Sequence, residues 1–322
     1  MGSGARETIT RREWLLSARR RLSERGISAA HLVAQVLLAH VVEVPRERLL
    51  AHDELALSEV QRNEAEALLE RRLNGTPLAY LVEAVEFYGH RLRVTPEVLI
   101  PRNETEHLVE FVLSQRPAEE ERGEWTLLDI GTGSGCLPIA IGLSDPGMRA
   151  IAVDVSDTAL TVAADNVFLH GLDERVGLVH GDGFDALLQA AYEPESEAAT
   201  ACMRVMGTHD LRGMVDVIVS NPPYVDPADA VSLRPEVLAE PSVALFAGEP
   251  GEGGSAVQRL LIDEARRWLR PGGWLVLELG LGQAPALAEW AASLPGWRSE
   301  PEIRKDLAGI ERVFALERRD GP

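Results

Sequence analysis

Leu127-Leu128-Asp129-Ile130-Gly131-Thr132-Gly133-Ser134-Gly135 sets a short apolar run directly against a glycine-dense turn, with a helix-forming stretch after it. An apolar run of this length, closed by glycines, reads as a strand of a parallel sheet covered on both faces. Missing side chains let the main chain approach a ligand closely, and the helix start behind the turn offers free N–H donors. The same loop suits dinucleotides and some purely structural turns, so the ligand has to be decided by residues elsewhere.

Working outward, short apolar runs at 126–130, 150–153, 176–179, 215–220, 274–279 and 312–316 alternate with helical stretches, notably 158–169 and 256–269. That alternation is the pattern of an α/β fold. Pro271-Gly272-Gly273 reads as the stop and turn before the fifth strand. Upstream, residues 10–73 carry apolar positions at helical spacing, with Ser28 and Ser58 as expected caps. Gly75-Thr76-Pro77 breaks that pattern, and a Gly89-His90 turn between β-prone runs predicts a hairpin. The expected division is a helical segment 1–75, a β-hairpin linker 76–100 and an α/β domain 101–322. Residues 190–213 lack clear periodicity around Glu193-Pro194-Glu195-Ser196-Glu197 and read as an inserted loop. By topology this loop belongs at the amino edge of the sheet, and replacing residues 193–212 by a short linker is expected to leave folding intact.

The 322 residues carry a formal net charge of -19, which works against unassisted binding to a phosphate backbone. The arginine-rich stretches at 11–25 and 62–72 read as solvated helix faces. No apolar run reaches the roughly 20 residues of a membrane span. The polar start and only two cysteines, Cys136 and Cys202, predict a reduced, cytoplasmic protein. The eight histidines show no ligand spacing, so no metal is expected, and Cys136 reads as a small packing residue.

Asp154 closes the second apolar run about twenty residues after the glycine loop, where a carboxylate can accept from both hydroxyls of a ribose. Asp182-Gly183-Phe184 follows the third run and suits either an adenine site or a helix cap with a core Phe. The discriminating stretch is Ser220-Asn221-Pro222-Pro223-Tyr224 after the fourth. Two prolines stiffen the turn at the sheet edge where open α/β proteins bind ligands. The Asn221 and Pro222 carbonyls can then accept both hydrogens of an NH2 group, while Tyr224 packs against its planar face.

Asn221-Pro222-Pro223-Tyr224 after Gly131-Thr132-Gly133-Ser134-Gly135 resembles the class I methyltransferases that act on planar amide or exocyclic nitrogen. More narrowly, the chain resembles the HemK/PrmC family of protein-(glutamine-N5) methyltransferases. Supporting segments are Gly75-Thr76-Pro77-Leu78-Ala79-Tyr80, Leu99-Ile100-Pro101-Arg102-Asn103-Glu104-Thr105-Glu106, Glu278-Leu279-Gly280 with Gln283, and Asp306-Leu307-Ala308-Gly309 with Arg312. The resemblance implies a class I, Rossmann-like sheet with a small helical N-terminal domain joined by a β-hairpin. It implies S-adenosyl-L-methionine held by residues 131–135, Asp154, Asp182, Gly183, Phe184 and Asn221. Its implied substrate is the Gly-Gly-Gln glutamine of peptide chain release factors, recognised with the N-terminal domain and held by Asn221, Pro222, Pro223 and Tyr224. Asn221, Pro222 and Tyr224 would then carry the reaction by lining up nitrogen, methyl carbon and sulfur. The chain departs from the family at Glu83 and Gly183, where Gly and often Trp are usual, and at Asn103, where Pro is usual. A ribosomal-protein glutamine, adenine N6 in DNA, and an inactive binding protein of the same fold are the competing readings.

Overall fold

The computed structural model describes residues 9–115, 123–298 and 300–319. The first eight residues of the 1–75 segment and the last three of the 101–322 segment lie outside them. The chain divides into two units, Met1–Ala84 with Arg234–Ala239, and Val85–Leu233 with Glu240–Pro322.

The first unit carries α1 (Arg11–Glu24), α2 (Ala30–Val41), α3 (Arg46–Ala51), α4 (Glu59–Leu73) and α5 (Leu78–Val82), with α11 (Pro235–Leu238) supplied from later in the chain. Trp14, Ala18 and Leu22 recur every fourth residue on α1 and are buried, packing in one core with Leu37, Leu38, Leu49 and Leu69. Thr10 and Glu13 form a capping box at α1, as Ser58 and Gln61 do at α4. Ser28 does not cap α2: the chain enters that helix through Ala29 in the left-handed region, with no side-chain cap. Arg72, nearly buried, pairs with Glu236 at 2.9 Å.

The predicted hairpin exists, as β1 (Ala84–Phe87) and β2 (His90–Arg93), but its turn is Tyr88-Gly89 rather than Gly89-His90. Both turn residues have positive φ, 50° and 75°, the requirement of a two-residue turn that matches strand twist. The segment 76–100 thus holds α5 as well as the hairpin.

In the second unit the order is α6 (Glu106–Ser114), β3 (Trp125–Ile130), α7 (Cys136–Ser144), β4 (Met148–Asp154), α8 (Asp157–Leu169), β5 (Val176–His180), α9 (Gly183–Tyr192), α10 (Glu197–Met206), β6 (Val215–Ser220), α12 (Ser242–Leu245), α13 (Ala256–Glu264), β7 (Leu269–Glu278), α14 (Ala284–Ala292), β8 (Glu302–Lys305) and β9 (Glu311–Glu317). The strands form one sheet in the order β5-β4-β3-β6-β7-β9-β8, with β9 antiparallel to both its neighbours and the other pairs parallel. This is the expected class I α/β sheet. Successive side chains go to opposite faces: Leu127, Ala150, Ala152, Val217 and Val219 join the core under α6, α7 and α8, while Leu128, Ile151, Val153 and Ile218 join the core under α9, α10, α13 and α14.

Three expectations change. The helix expected over 256–269 ends at Glu264, and β7 already begins at Leu269, so Pro271-Gly272-Gly273 is an irregularity inside a strand. The β6–β7 register shifts there, from Val215 opposite Leu269 to Val217 opposite Trp274. Strand β8 was not foreseen; Glu302-Ile303-Arg304-Lys305 has no apolar run to announce it. Residues 190–213 are not a loop. Ser196 accepts from the Ala199 N–H to start α10, which buries Ala198, Ala199, Cys202 and Val205 on one face and packs against α9, β4 and β5. Its C-terminal half does lie at the amino edge: Arg149, on the second residue of β4, donates to the Val205 carbonyl at 3.3 Å, and Arg204 donates to the Val176 carbonyl at 3.3 Å.

Replacing residues 193–212 by a Gly/Ser linker should therefore destabilise the unit rather than leave it intact. Exposing the surface now buried by Val205, Leu211, Cys202 and the two alanines should cost about 5 kcal/mol. Chemical denaturation of the shortened chain checks this, and an unchanged midpoint would mean that α10 is an appendage.

Candidate active site

The carboxyl ends of β3, β4, β5 and β6 converge on a cavity of about 580 Å³, within the usual size of a small-molecule site. Ile130, Gly131, Thr132, Gly133 and Ser134 line it from β3, Asp154 from β4, Asp182, Gly183 and Phe184 from β5, and Asn221, Pro222 and Pro223 from β6. The structure thus gathers nearly all the residues singled out in the sequence around one space. Gly135 and Tyr224 are not among the lining residues.

Gly135 serves by its size. At φ 79° it starts α7, and an added Cβ would lie 3.3 Å from Ile139 and 3.5 Å from Ala163, so it lets α7 close against α8. Gly131 and Gly133 would meet nothing, their missing side chains facing open space. Asp154 holds the loop in place: one carboxylate oxygen accepts from the Gly133 N–H at 2.8 Å and the other from Ser156 at 3.0 Å. The cap of α8 is Ser156, so Asp154 is not spent on that role. Asn166 on α8, missed in the sequence, is fully buried and accepts from the Arg93 N–H while donating to the carbonyls of Arg93 and Ser134.

Asp182 precedes α9 without making a side-chain cap, Gly183 follows at φ 48° with open space beside it, and Phe184 stacks on Trp268 at 5.8 Å. Phe184 is therefore a core residue that also lines the cavity. Asp129, at the end of β3, is fully buried, and burial pushes its carboxyl up to about 7, opposed by the nearby Thr132 hydroxyl and reinforced by the charge of Asp154. Burial likewise raises the Cys136 thiol, which suits packing rather than reactivity. Among the described residues no group of three or more His, Cys, Asp or Glu is arranged to hold a metal ion.

The Asn221 turn is anchored from three sides. The Ser220 hydroxyl donates to the Ile130 carbonyl at 2.6 Å, fixing the end of β6 to the end of β3. Gln283 donates to the Tyr224 carbonyl at 3.2 Å and to the Gly253 carbonyl at 3.0 Å, while accepting from the Gly280 N–H at 2.8 Å. A Cβ on Gly254 would come within 2.3 Å of the Tyr224 carbonyl oxygen, so only glycine fits against that turn. Asp226 holds the same loop by accepting from the N–H groups of Ala228, Gly251 and Gly253, which keeps its carboxyl below the usual range.

Behind the turn lies a buried polar chain. Asn221 Nδ2 donates to Thr105 Oγ1 at 3.1 Å, Thr105 donates to Glu278 Oε2 at 2.6 Å, and the Tyr224 hydroxyl donates to Glu278 Oε1 at 3.2 Å. Glu278 is fully buried, and burial raises its carboxyl to about 7 against those two hydrogen bonds and the charge of Arg312. Tyr224 is raised too, by burial and by the charge of Glu278. The Asn221 Oδ1 atom is buried without a hydrogen-bond partner, an arrangement that costs stability unless a donor is supplied to it. Thr105 stood in the sequence only as part of the segment from Leu99 to Glu106, with no role of its own. Glu278 gave a signal, a carboxylate closing the apolar run Trp274-Leu275-Val276-Leu277.

Residues 13–82 match the family model described as PrmC N-terminal domain, and residues 118–221 match one described as Methyltransferase domain. Over 313 residues the chain is 36% identical to the release factor glutamine methyltransferase of Moorella thermoacetica, covering 97% of this chain and 100% of that one. The protein of the same name from Deinococcus radiodurans is 36% identical over 311 residues, 96% of this chain and 99% of that one. That from Nitratidesulfovibrio vulgaris is 33% identical over 303 residues, 94% and 93%. Because the likeness runs through the N-terminal helices as well as the sheet, and through nearly the full length of these relatives, the chain belongs to the release factor glutamine methyltransferase family.

Proposed function

We propose that this protein methylates N5 of the glutamine side chain in the Gly-Gly-Gln motif of peptide chain release factors, with S-adenosylmethionine as methyl donor and the cytoplasm as its working compartment. The observation that carries the reading is Asn221 Oδ1, a buried acceptor without a partner on a residue that lines the cavity. An amide NH2 supplies the donor it lacks. The net charge of -19 supports a protein acceptor over a nucleic-acid one.

The residues present fit the cofactor. Gly131 and Gly133 leave a cradle that a Cβ would fill, Asp154 stands at the end of β4 with carboxylate oxygens suited to ribose hydroxyls, and Asp182 and Phe184 line the same cavity and are the proposed contacts for adenine. Bound there, S-adenosylmethionine supplies an electrophilic methyl group on a cationic sulfur. The chain's own part is positional. An amide nitrogen is a poor nucleophile because its lone pair is delocalised into the carbonyl. Asn221 Oδ1 and the Pro222 carbonyl accept its two hydrogens, hold the NH2 in one orientation, and stabilise the positive charge that grows on nitrogen. The proton leaves afterwards, so no strong base is needed. The N-terminal helices are the proposed docking element for the release factor.

Asp154→Ala should weaken S-adenosylmethionine binding by about 1.5 to 3 kcal/mol, the range for hydrogen bonds to a charged group, with part of the loss arising from the freed Gly133 N–H. Titration calorimetry reads it; an unchanged Kd places the cofactor elsewhere. Asn221→Ala should leave that Kd within about threefold and lower turnover on a Gly-Gly-Gln peptide by about 100-fold or more, as loss of one preorganised polar group does. Mass mapping of the peptide decides whether methyl appears on glutamine. Near-normal turnover by the variant would sink the positional account.

A further inference from the structure

The chain of hydrogen bonds behind Asn221 has a direction, and that direction is set by one carboxylate. Ionised Glu278 carries no proton, so Thr105 must donate to Oε2 and Tyr224 to Oε1. Each hydroxyl has a single proton to give. Thr105 Oγ1 is then left with lone pairs only, and the Asn221 group facing it at 3.1 Å must be the NH2. The amide oxygen is thereby turned away from Thr105 and left without a partner. We propose that Glu278 and Thr105 are positioning residues, ionised Glu278 orienting the Thr105 hydroxyl and, through it, the Asn221 amide, so that oxygen rather than nitrogen is offered to the acceptor NH2. This rests on the reading that Asn221 grips the substrate amide.

Protonation undoes the ordering. A neutral Glu278 can donate to Thr105 Oγ1, which frees the Thr105 proton for Asn221 Oδ1 and lets the amide turn its NH2 outward, donor against donor. The groups that bear on Glu278 are Tyr224 from the turn after β6, Arg312 from β9, Glu104 from the segment before α6 and Cys136 from α7. Arg312 favours the charged form and Glu104 the neutral one, and burial dominates, which sets the carboxyl at about 7. The active form is the charged one. Competence is therefore present above that value and lost as pH falls through it, a decline of about tenfold for each unit below.

The test is the pH profile of kcat/KM on a Gly-Gly-Gln peptide, whose reacting group does not titrate, with cofactor Kd and melting temperature taken on the same samples. Wild type should lose about tenfold between about pH 8 and about pH 6. Glu278→Gln should lose the acid limb and stay near the wild-type value at about pH 6, whereas a limb due to Asp129 would persist in that variant. Thr105→Val should fall comparably and Thr105→Ser should recover, both with unchanged cofactor affinity. A Glu278→Gln variant that folds, keeps the wild-type limb and keeps its kcat/KM overturns the proposal, as does Thr105→Val with wild-type values. Should Glu278→Gln fail to fold, the Thr105 pair and the wild-type limb decide on the same terms. An independent readout is the ¹⁵N and ¹H shift of the Asn221 side-chain NH2 in wild type and in Thr105→Val. It should titrate near pH 7 in the first and not in the second. A flat wild-type shift overturns the proposal. If no methyl transfer to glutamine occurs at any pH while that shift titrates, the failure belongs to the proposed reaction and the positioning stands.

Discussion

Parallel strands all leave a sheet at the same edge, and among the parallel strands here β3 sits where the order reverses, with β4 and β5 to one side and β6 and β7 to the other. The loops that leave β3 and β6 therefore part in opposite directions and open a crevice between them. The Ser220 to Ile130 hydrogen bond pins the mouth of that crevice, so the glycine loop and the Asn221 turn keep a fixed separation. Everything proposed for the site follows from this adjacency. The Asp154 contact to Gly133 and the Gln283 clamp on Tyr224 refine two walls whose positions the strand order has already set.

The site is held at a cost in stability. Asp129 and Glu278 are both fully buried, with carboxyls raised to about 7 from ordinary values of 3.8 and 4.5. For a group whose folded value lies above its unfolded one, the unfolded chain gives up the proton first as pH rises. The penalty is absent below the unfolded value, grows through the interval, and is complete above about 7. The two carboxylates therefore oppose folding above about pH 7.

Much of this was legible in the sequence because the signals were local. The glycine loop, the acid closing β4 and the Asn221 turn each lie within a few residues, and strand alternation places them at one edge. What escaped was either weak in contrast or long in range. Helix α10 buries Ala198, Ala199, Cys202 and Val205, three of them small, behind an acidic, proline-bearing entry, so its apolar stripe barely stands out. Strand β8 is four residues of mostly charged character, held by pairing with β9. The turn of the hairpin was displaced by one residue because Tyr88, not an expected turn residue, takes positive φ. Thr105 and Glu278 are 173 positions apart, and no spacing rule brings them together. The Tyr224 hydroxyl donates to Glu278, a partner invisible until β7 lies beside β6.

Asn166 gives the glycine loop a mechanical property. One amide, shut away inside α8, grips the main chain of β2 through both the N–H and the carbonyl of Arg93 and grips the loop through the Ser134 carbonyl. The side chain has no slack: its oxygen and both its hydrogens are engaged on those three atoms. Through Asn166, β2 and the glycine loop are thus tied to the same side chain of α8, so the order of the cavity's floor depends on the hairpin as well as on the sheet.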